Sequence, residues 1–246
     1  MRRGMTASHG VRCERTVRER VTVERLFRLL SHHYDVKDWW PADGPFEVAV
    51  GAILTQNTNW RNAASAISAL RDSGMLSPER IAATPQPELE ALIRPSGSFR
   101  RKAATLRLFS SLLLDSYGGD MALMSAAPGA ELRRSLIAVR GIGEETADAI
   151  MLYACGKPVF VADAYARRVL RRVGACDGKA DYGSVKRLVE ESTGADRRVC
   201  ALFHALIVEF AKDVCRRTPR CGDCFIADCR YRVSVRHREE CCLEER

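Results

Sequence analysis

The sequence predicts an all-α protein built as two helical domains with a cleft between them. Apolar residues recur every three to four positions in segment after segment. No stretch alternates with period two for long enough to build a sheet. Proline and glycine punctuate the chain at short intervals, so the helices are short and their connections tight.

The elements follow in order. Val23 to His33 carries Val23, Leu26, Phe27, Leu29 and Leu30 at helical spacing. Phe46 to Leu54 is apolar, and after a polar stretch the helical period resumes with Ala63, Ala66, Ile67 and Leu70. Pro78, Pro85 and Pro87 mark two short segments opened by Ser77 and Thr84 as cap residues. Leu106, Phe109, Leu112 and Leu113 form the next amphipathic face, and Leu132, Leu136 and Ile137 another that ends near Gly141. Ala147 to Leu152, Ala164 to Val173, Val185 to Glu191 and Val199 to Phe210 complete the helices, and only Pro158 to Val161 reads as extended. The middle of the chain, residues 41–155, is expected to form one helical bundle. Residues 1–40 are expected to return and pack with residues 156–246 as the second domain.

Composition narrows the function. The chain has 246 residues, 46% hydrophobic and 28% charged, as a folded globular protein does. Lys+Arg is 39 and Asp+Glu is 31, a formal net charge of +8, which favours a polyanionic partner, nucleic acid first. No run approaches the roughly 18 apolar residues of a membrane span. The opening carries Arg2, Arg3, Arg12, Arg15, Arg18 and Arg20 and no apolar core, so a secretory signal is not expected. That opening reads either as a basic arm or as an extension without a role. The expected location is cytoplasmic, on the nucleoid if the cell is bacterial.

Ten cysteines is a high count, and in a reducing compartment they are thiols or metal ligands. Cys215, Cys221, Cys224 and Cys229 follow the spacing C-x5-C-x2-C-x4-C. Four thiolates so close can wrap tetrahedral Zn²⁺ or a [4Fe–4S] cube. A single CxxC flanked by lone cysteines suits the cube better than the paired knuckles of a zinc ribbon; four coincidental free thiols is the bland alternative. Arg216, Arg217 and Arg220 lie in the same loop. Cys155 and Cys200 read as core residues, whereas Cys13, Cys176, Cys241 and Cys242 have no such spacing.

A second signal is Arg140-Gly141-Ile142-Gly143-Glu144-Glu145, where one apolar helix stops and another starts. The glycines permit a tight hairpin, Ile142 can plug the core, and the freed N–H groups suit a phosphate oxygen. On its own such a turn is weak evidence. Twenty residues past Gly143, Asp163 ends a short apolar run and opens a helix. It can serve as an N-cap, and a cap also fixes the orientation of a carboxylate.

The glycine hairpin, Asp163 and the four-cysteine loop, in that order, resemble the helix-hairpin-helix (HhH-GPD) DNA glycosylases of the endonuclease III superfamily. Ala52-Ile53-Leu54-Thr55-Gln56 is similar to that superfamily's glutamine-bearing helix and loop. The resemblance runs from about Trp39 to Cys229. It implies Asp163 as catalytic residue, a [4Fe–4S] cluster on the four cysteines, and phosphate contacts from Arg140, Gly141, Ile142, Gly143 and the loop arginines. It also implies that Gln56 fills the gap left by a flipped base in double-stranded DNA, and that the protein acts as a monomer. The outer two cysteine gaps are each one residue shorter than in endonuclease III. A larger departure is Glu145, which stands where bifunctional members carry the lysine that forms a Schiff base. Glutamate cannot be that nucleophile. Base removal by water with weak or absent lyase activity is therefore expected.

Trp39-Trp40-Pro41, Leu54 to Trp60 and Glu145 look like the 3-methyladenine DNA glycosylase III subfamily. The resemblance implies a base pocket of Trp39, Trp40, Pro41, Trp60 and Glu145, with Lys212 nearby. All three tryptophans of the chain fall in these segments. Indole faces suit an electron-poor or cationic alkylated purine. Competing readings are a bifunctional endonuclease III acting on oxidised pyrimidines, a non-catalytic iron–sulfur DNA-binding protein, and a zinc-binding helical module.

Overall fold

The structure is a computed structural model that describes residues 21–37 and 39–234. The arginine-rich opening, Cys13, Cys241 and Cys242 lie outside the described residues. Twelve α-helices are described and no strand is present among these residues. They are α1 (Val23–His33), α2 (Pro45–Leu54), α3 (Trp60–Asp72), α4 (Pro78–Ala83), α5 (Gln86–Leu92), α6 (Phe99–Tyr117), α7 (Met121–Ala126), α8 (Gly129–Ala138), α9 (Glu144–Ala149), α10 (Ala164–Val173), α11 (Tyr182–Thr193) and α12 (Arg197–Asp213). A π-helical turn, Ile150–Ala154, continues α9.

Local chemistry explains most boundaries. Thr22, Asn59, Ser77, Asp120, Asp163, Asp181 and Asp196 each accept a backbone N–H from the first turn of the helix they open. Thr84 differs from the expectation. Its hydroxyl donates back to the Arg80 carbonyl at 2.6 Å, so it closes α4, and α5 starts from Pro85 with no side-chain cap. Ser and Thr oxygens can bond forwards or backwards along the chain, and spacing alone does not say which. Helix α8 stops at Ala138 rather than beside Gly141, and Ile137 is exposed rather than on the buried face. Pro158 to Val161 gains no strand partner; the Phe160 N–H donates instead to Glu190 Oε1 at 2.8 Å. Cys155 and Cys200 are buried, as a core role requires.

The buried side chains form two clusters. One is drawn from residues 49–155 and includes Ile53, Leu54, Leu70, Leu106, Phe109, Leu136 and Ile142. The other joins Val21, Val23, Leu26 and Leu30 to residues between Leu152 and Cys229, with Phe160, Phe203 and Phe210 at its centre. The π turn straddles the seam, since Ile150 and Met151 belong to the first cluster and Leu152 to the second. Helix α2 is buried along Ala49 to Leu54, where Gly51 leaves room for the Trp40 indole; a Cβ there would sit 3.4 Å from its Nε1. No described helix is long and apolar enough to cross a membrane.

Candidate active site

Asp163 follows the buried run Phe160-Val161-Ala162 and caps α10. Its Oδ1 accepts the Ala166 N–H at 2.7 Å, and its side chain keeps 14% exposure. The other oxygen, Oδ2, lies 3.6 Å from His204 Nε2 on α12. His204 is buried, and its Nδ1 lies 2.7 Å from the Tyr153 hydroxyl in the π turn. The basic neighbour of Asp163 is therefore His204, which the sequence reading passed over. A lone histidine among the apolar residues of α12 carries no spacing that separates it from a core residue.

The aromatic residues converge beside this chain of groups. Trp39 meets the His204 ring edge-on at 5.4 Å, and Trp40 lies 4.9 Å from the Tyr153 ring and 5.8 Å from that of Trp60. The Trp39 Nε1–H donates to Glu209 Oε1 at 3.1 Å, and Lys212 Nζ donates to the same oxygen at 3.0 Å. Lys212 thus flanks Trp39 through Glu209, and no bond or ion pair joins it to Asp163. Pro41 is exposed and shares an open groove with Trp60, Glu47 and Arg71. Glu145 occupies the first turn of α9 and is exposed as a residue. Desolvation by the surrounding walls pushes its carboxyl above the ordinary range, and the negative charge of Asp163 adds to the effect; Arg167 and His204 oppose it.

The hairpin is built as its glycines suggest, with one asymmetry. Gly141 has φ +99°, and a Cβ there would fall 2.0 Å from Thr105 Oγ1, whose hydroxyl lies 3.1 Å from the Arg140 carbonyl. No other residue type fits. Ile142 is 4% exposed and plugs the first cluster. Gly143 opens α9 with nothing within 4 Å of a built Cβ, so its place on the turn is open to an approaching group. Arg140 is exposed beside it. The Gln56 side-chain amide donates to the Gly141 carbonyl and to Thr146 Oγ1, each at 2.9 Å, which ties the α2–α3 loop to the hairpin.

Cys215, Cys221, Cys224 and Cys229 line one small cavity of about 20 Å³ whose remaining wall includes Val173, Phe210, Val214 and Ile226. Burial pushes the Cys224 and Cys229 thiols up; backbone N–H groups of the loop oppose this, and the neighbouring cysteines add a smaller upward push. Among the described residues, no three His, Cys, Asp or Glu side chains form a ready-made site for a single metal ion. Arginines brace the loop from α10. Arg168 Nε donates to the Cys215 carbonyl at 3.0 Å and Arg172 Nη2 to the Arg217 carbonyl at 2.9 Å. Arg172 Nη1 also reaches Cys215 Sγ at 3.5 Å. The side chains of Arg216, Arg217 and Arg220 are exposed, although Arg216 Nε turns back to the Lys212 carbonyl at 2.7 Å.

An all-helical chain with two cores, a glycine hairpin packed on one of them and a capped aspartate at their seam defines a helix-hairpin-helix protein. Residues 50–194 match the family described as HhH-GPD superfamily base excision DNA repair protein, and the chain belongs to it. With that family it is a base-excision-repair DNA glycosylase. A protein of Methanocaldococcus jannaschii that carries the name of a DNA repair glycosylase is 36% identical over 207 residues, covering 84% of this chain and 94% of the relative. The H. pylori 3-methyladenine DNA glycosylase, solved bound to 1,N6-ethenoadenine, superposes with a TM-score of 0.68 at 28% identity, over 76% of this chain and 95% of that one. A trapped endonuclease III–DNA covalent intermediate superposes with a TM-score of 0.75 at 21% identity, over 87% of this chain and 96% of that one, which speaks to the fold alone.

Proposed function

We propose that this glycosylase is monofunctional and hydrolyses the N-glycosidic bond of an alkylated purine flipped out of double-stranded DNA. The observation that carries the reading is Asp163, facing His204 at the seam of the two cores, with Trp39 against His204, Trp40 against Tyr153, and a glutamate rather than an amine at Glu145. The two cores stand for the two domains, residues 41–155 and residues 1–40 plus 156–246, and the seam for the cleft. The 3-methyladenine glycosylase similarity supports the choice of base.

Each residue then has a task. Flipping the nucleotide costs a few kcal/mol, which the backbone of Gly141 to Gly143, Arg140 and the loop arginines offset by gripping phosphates. Gln56 enters the vacated stack after releasing Gly141 and Thr146. Indole faces favour a cationic alkylated base, worth about 0.5–2 kcal/mol per contact. Asp163 as carboxylate stabilises the positive charge that develops on the sugar and orients the attacking water. An alkylated base leaves readily, so acid assistance at the base is dispensable. The four cysteines would hold a [4Fe–4S] cluster, which supplies a rigid, DNA-positioning scaffold for a hydrolysis that has no redox step. The chain acts as a monomer.

A panel of duplexes, each with one alkylated, oxidised or deaminated base, tests the reading. Free alkylated purine should appear with an intact strand, and borohydride should trap little covalent enzyme–DNA adduct. Strand nicking with strong trapping on oxidised pyrimidines would assign the chain to the bifunctional class instead.

A further inference from the structure

His204 is 5% exposed, yet its Nε2 has no hydrogen-bond partner and faces Asp163 Oδ2 at 3.6 Å. Its ring is held edge-on between Trp39 at 5.4 Å and Phe160 at 6.2 Å. On the far side Nδ1 lies 2.7 Å from the Tyr153 hydroxyl, whose single proton has a second, longer acceptor in the Ala201 carbonyl at 3.3 Å. A neutral imidazole carries one N–H. A proton on Nδ1 would leave the Nε2 lone pair facing a carboxylate oxygen in a desolvated pocket. A proton on Nε2 lets Nδ1 accept from Tyr153 and aims an N–H at Oδ2, so every group finds a partner of the right sign. The separation exceeds a hydrogen bond by a few tenths of an ångström, a gap that closes with a small shift of either side chain. Tyr153 reaches this place from the π turn, and such turns recur at functional sites.

We propose that Tyr153 and His204 are positioning residues for Asp163. Ala166 N–H holds Oδ1, His204 Nε2–H holds Oδ2, and Tyr153 fixes the imidazole tautomer, so the carboxylate keeps one orientation toward the sugar. This rests on the glycosylase reading above. When the glycosidic bond breaks, its electron pair leaves with the base; water adds to C1′ and its proton passes to Asp163, while His204 keeps its own.

The test uses the full chain carrying His204→Gln, His204→Asn, His204→Phe or Tyr153→Phe, with single-turnover release of an alkylated purine as readout. Glutamine can place an N–H near the position of Nε2; asparagine reaches only that of Nδ1, and phenylalanine neither. Asn and Phe should slow excision about 10²-fold, Gln should restore most of the rate, and affinity for a duplex with an abasic-site analogue should stay unchanged. Wild-type rates in the Phe variant, or a Gln variant as slow as Phe, overturn the proposal. Ring ¹⁵N resonances provide a readout that needs no substrate. They should show His204 protonated at Nε2, and Asp163→Asn should shift that N–H. Protonation at Nδ1 overturns the proposal. Should the wild type release no base from any duplex, the glycosylase reading fails, and the ring spectrum still decides whether the arrangement exists.

Discussion

Asp163 caps α10 with one oxygen and turns the other toward His204, and a single substitution separates the cap from the proposed catalytic charge. Asparagine caps a helix about as well as aspartate, so Asp163→Asn should leave the α10 cap and the fold intact. It removes the negative charge that the proposed mechanism places against the transition state. Excision should fall below detection while duplex binding, followed by fluorescence anisotropy, stays nearly unchanged; retained turnover would move the chemistry to another group. The cap was legible in the sequence, because an aspartate that ends an apolar run and opens a helix suits that place, and the same carboxylate is the one proposed for catalysis. The Gly141 position was legible too, since few features other than a left-handed turn against a neighbouring helix ask for a glycine there. His204 was not legible, because nothing along the chain says that a histidine on an apolar helix faces a carboxylate contributed some forty residues earlier. Lys212 shows the converse. The family resemblance implies a place by the base pocket, which spacing along the chain does not, and the pitch of α12 sets it on Glu209 at the edge of Trp39.

Elements behave as small machines in two places. The first is the end of α2, which leads into the Gln56 loop. Lys102 of α6 is 1% exposed, and its Nζ donates to the Leu54 carbonyl at 2.8 Å and the Ser96 carbonyl at 2.6 Å. Burial lowers its pKa to about 8, with a smaller push from Arg101. A neutral amine has two N–H groups, and two carbonyls await them. The sign follows from proton counting: between about pH 8 and the unfolded value near 10.4, the unfolded chain binds more protons than the folded one. Stability should therefore rise with pH across that window. Urea melts at a series of pH values should show the rise in the wild type and lose it in Lys102→Met; an identical slope in both would refute it. The second is α10, whose Arg168 and Arg172 clasp the backbone of the cysteine loop. Most helices were readable from caps and periodicity, down to the short α4; α7, six residues long, has too few turns to show a period. The π turn was not, because one widened turn leaves the apolar spacing almost unchanged.

At the scale of the molecule, a buried ionic network locks the two cores together. Asp148 of α9 is fully buried and accepts from Arg133 Nε of α8 at 2.8 Å and from the Tyr182 hydroxyl of α11 at 2.8 Å; Lys186 Nζ of α11 lies 2.9 Å away. Removing one partner of such a cluster leaves buried charge uncompensated. Asp148→Asn should cost about 3–5 kcal/mol in denaturant melts, and a loss below about 1 kcal/mol would show that the cores hold without it. The composition foretold a basic chain but not this acid at its seam, since its partners come from two other helices. The order of those helices along the chain has a further consequence. Helix α1 is made before the central bundle, yet its neighbours are made after it: Phe27 packs edge-on against Phe203 at 5.5 Å, and Arg25 pairs with Asp228 at 2.6 Å. During synthesis the ribosome must deliver the whole intervening bundle before the leading helix can dock. Until then its greasy side stays uncovered, a standing invitation to chaperones, while the central bundle already has most of what it needs to settle.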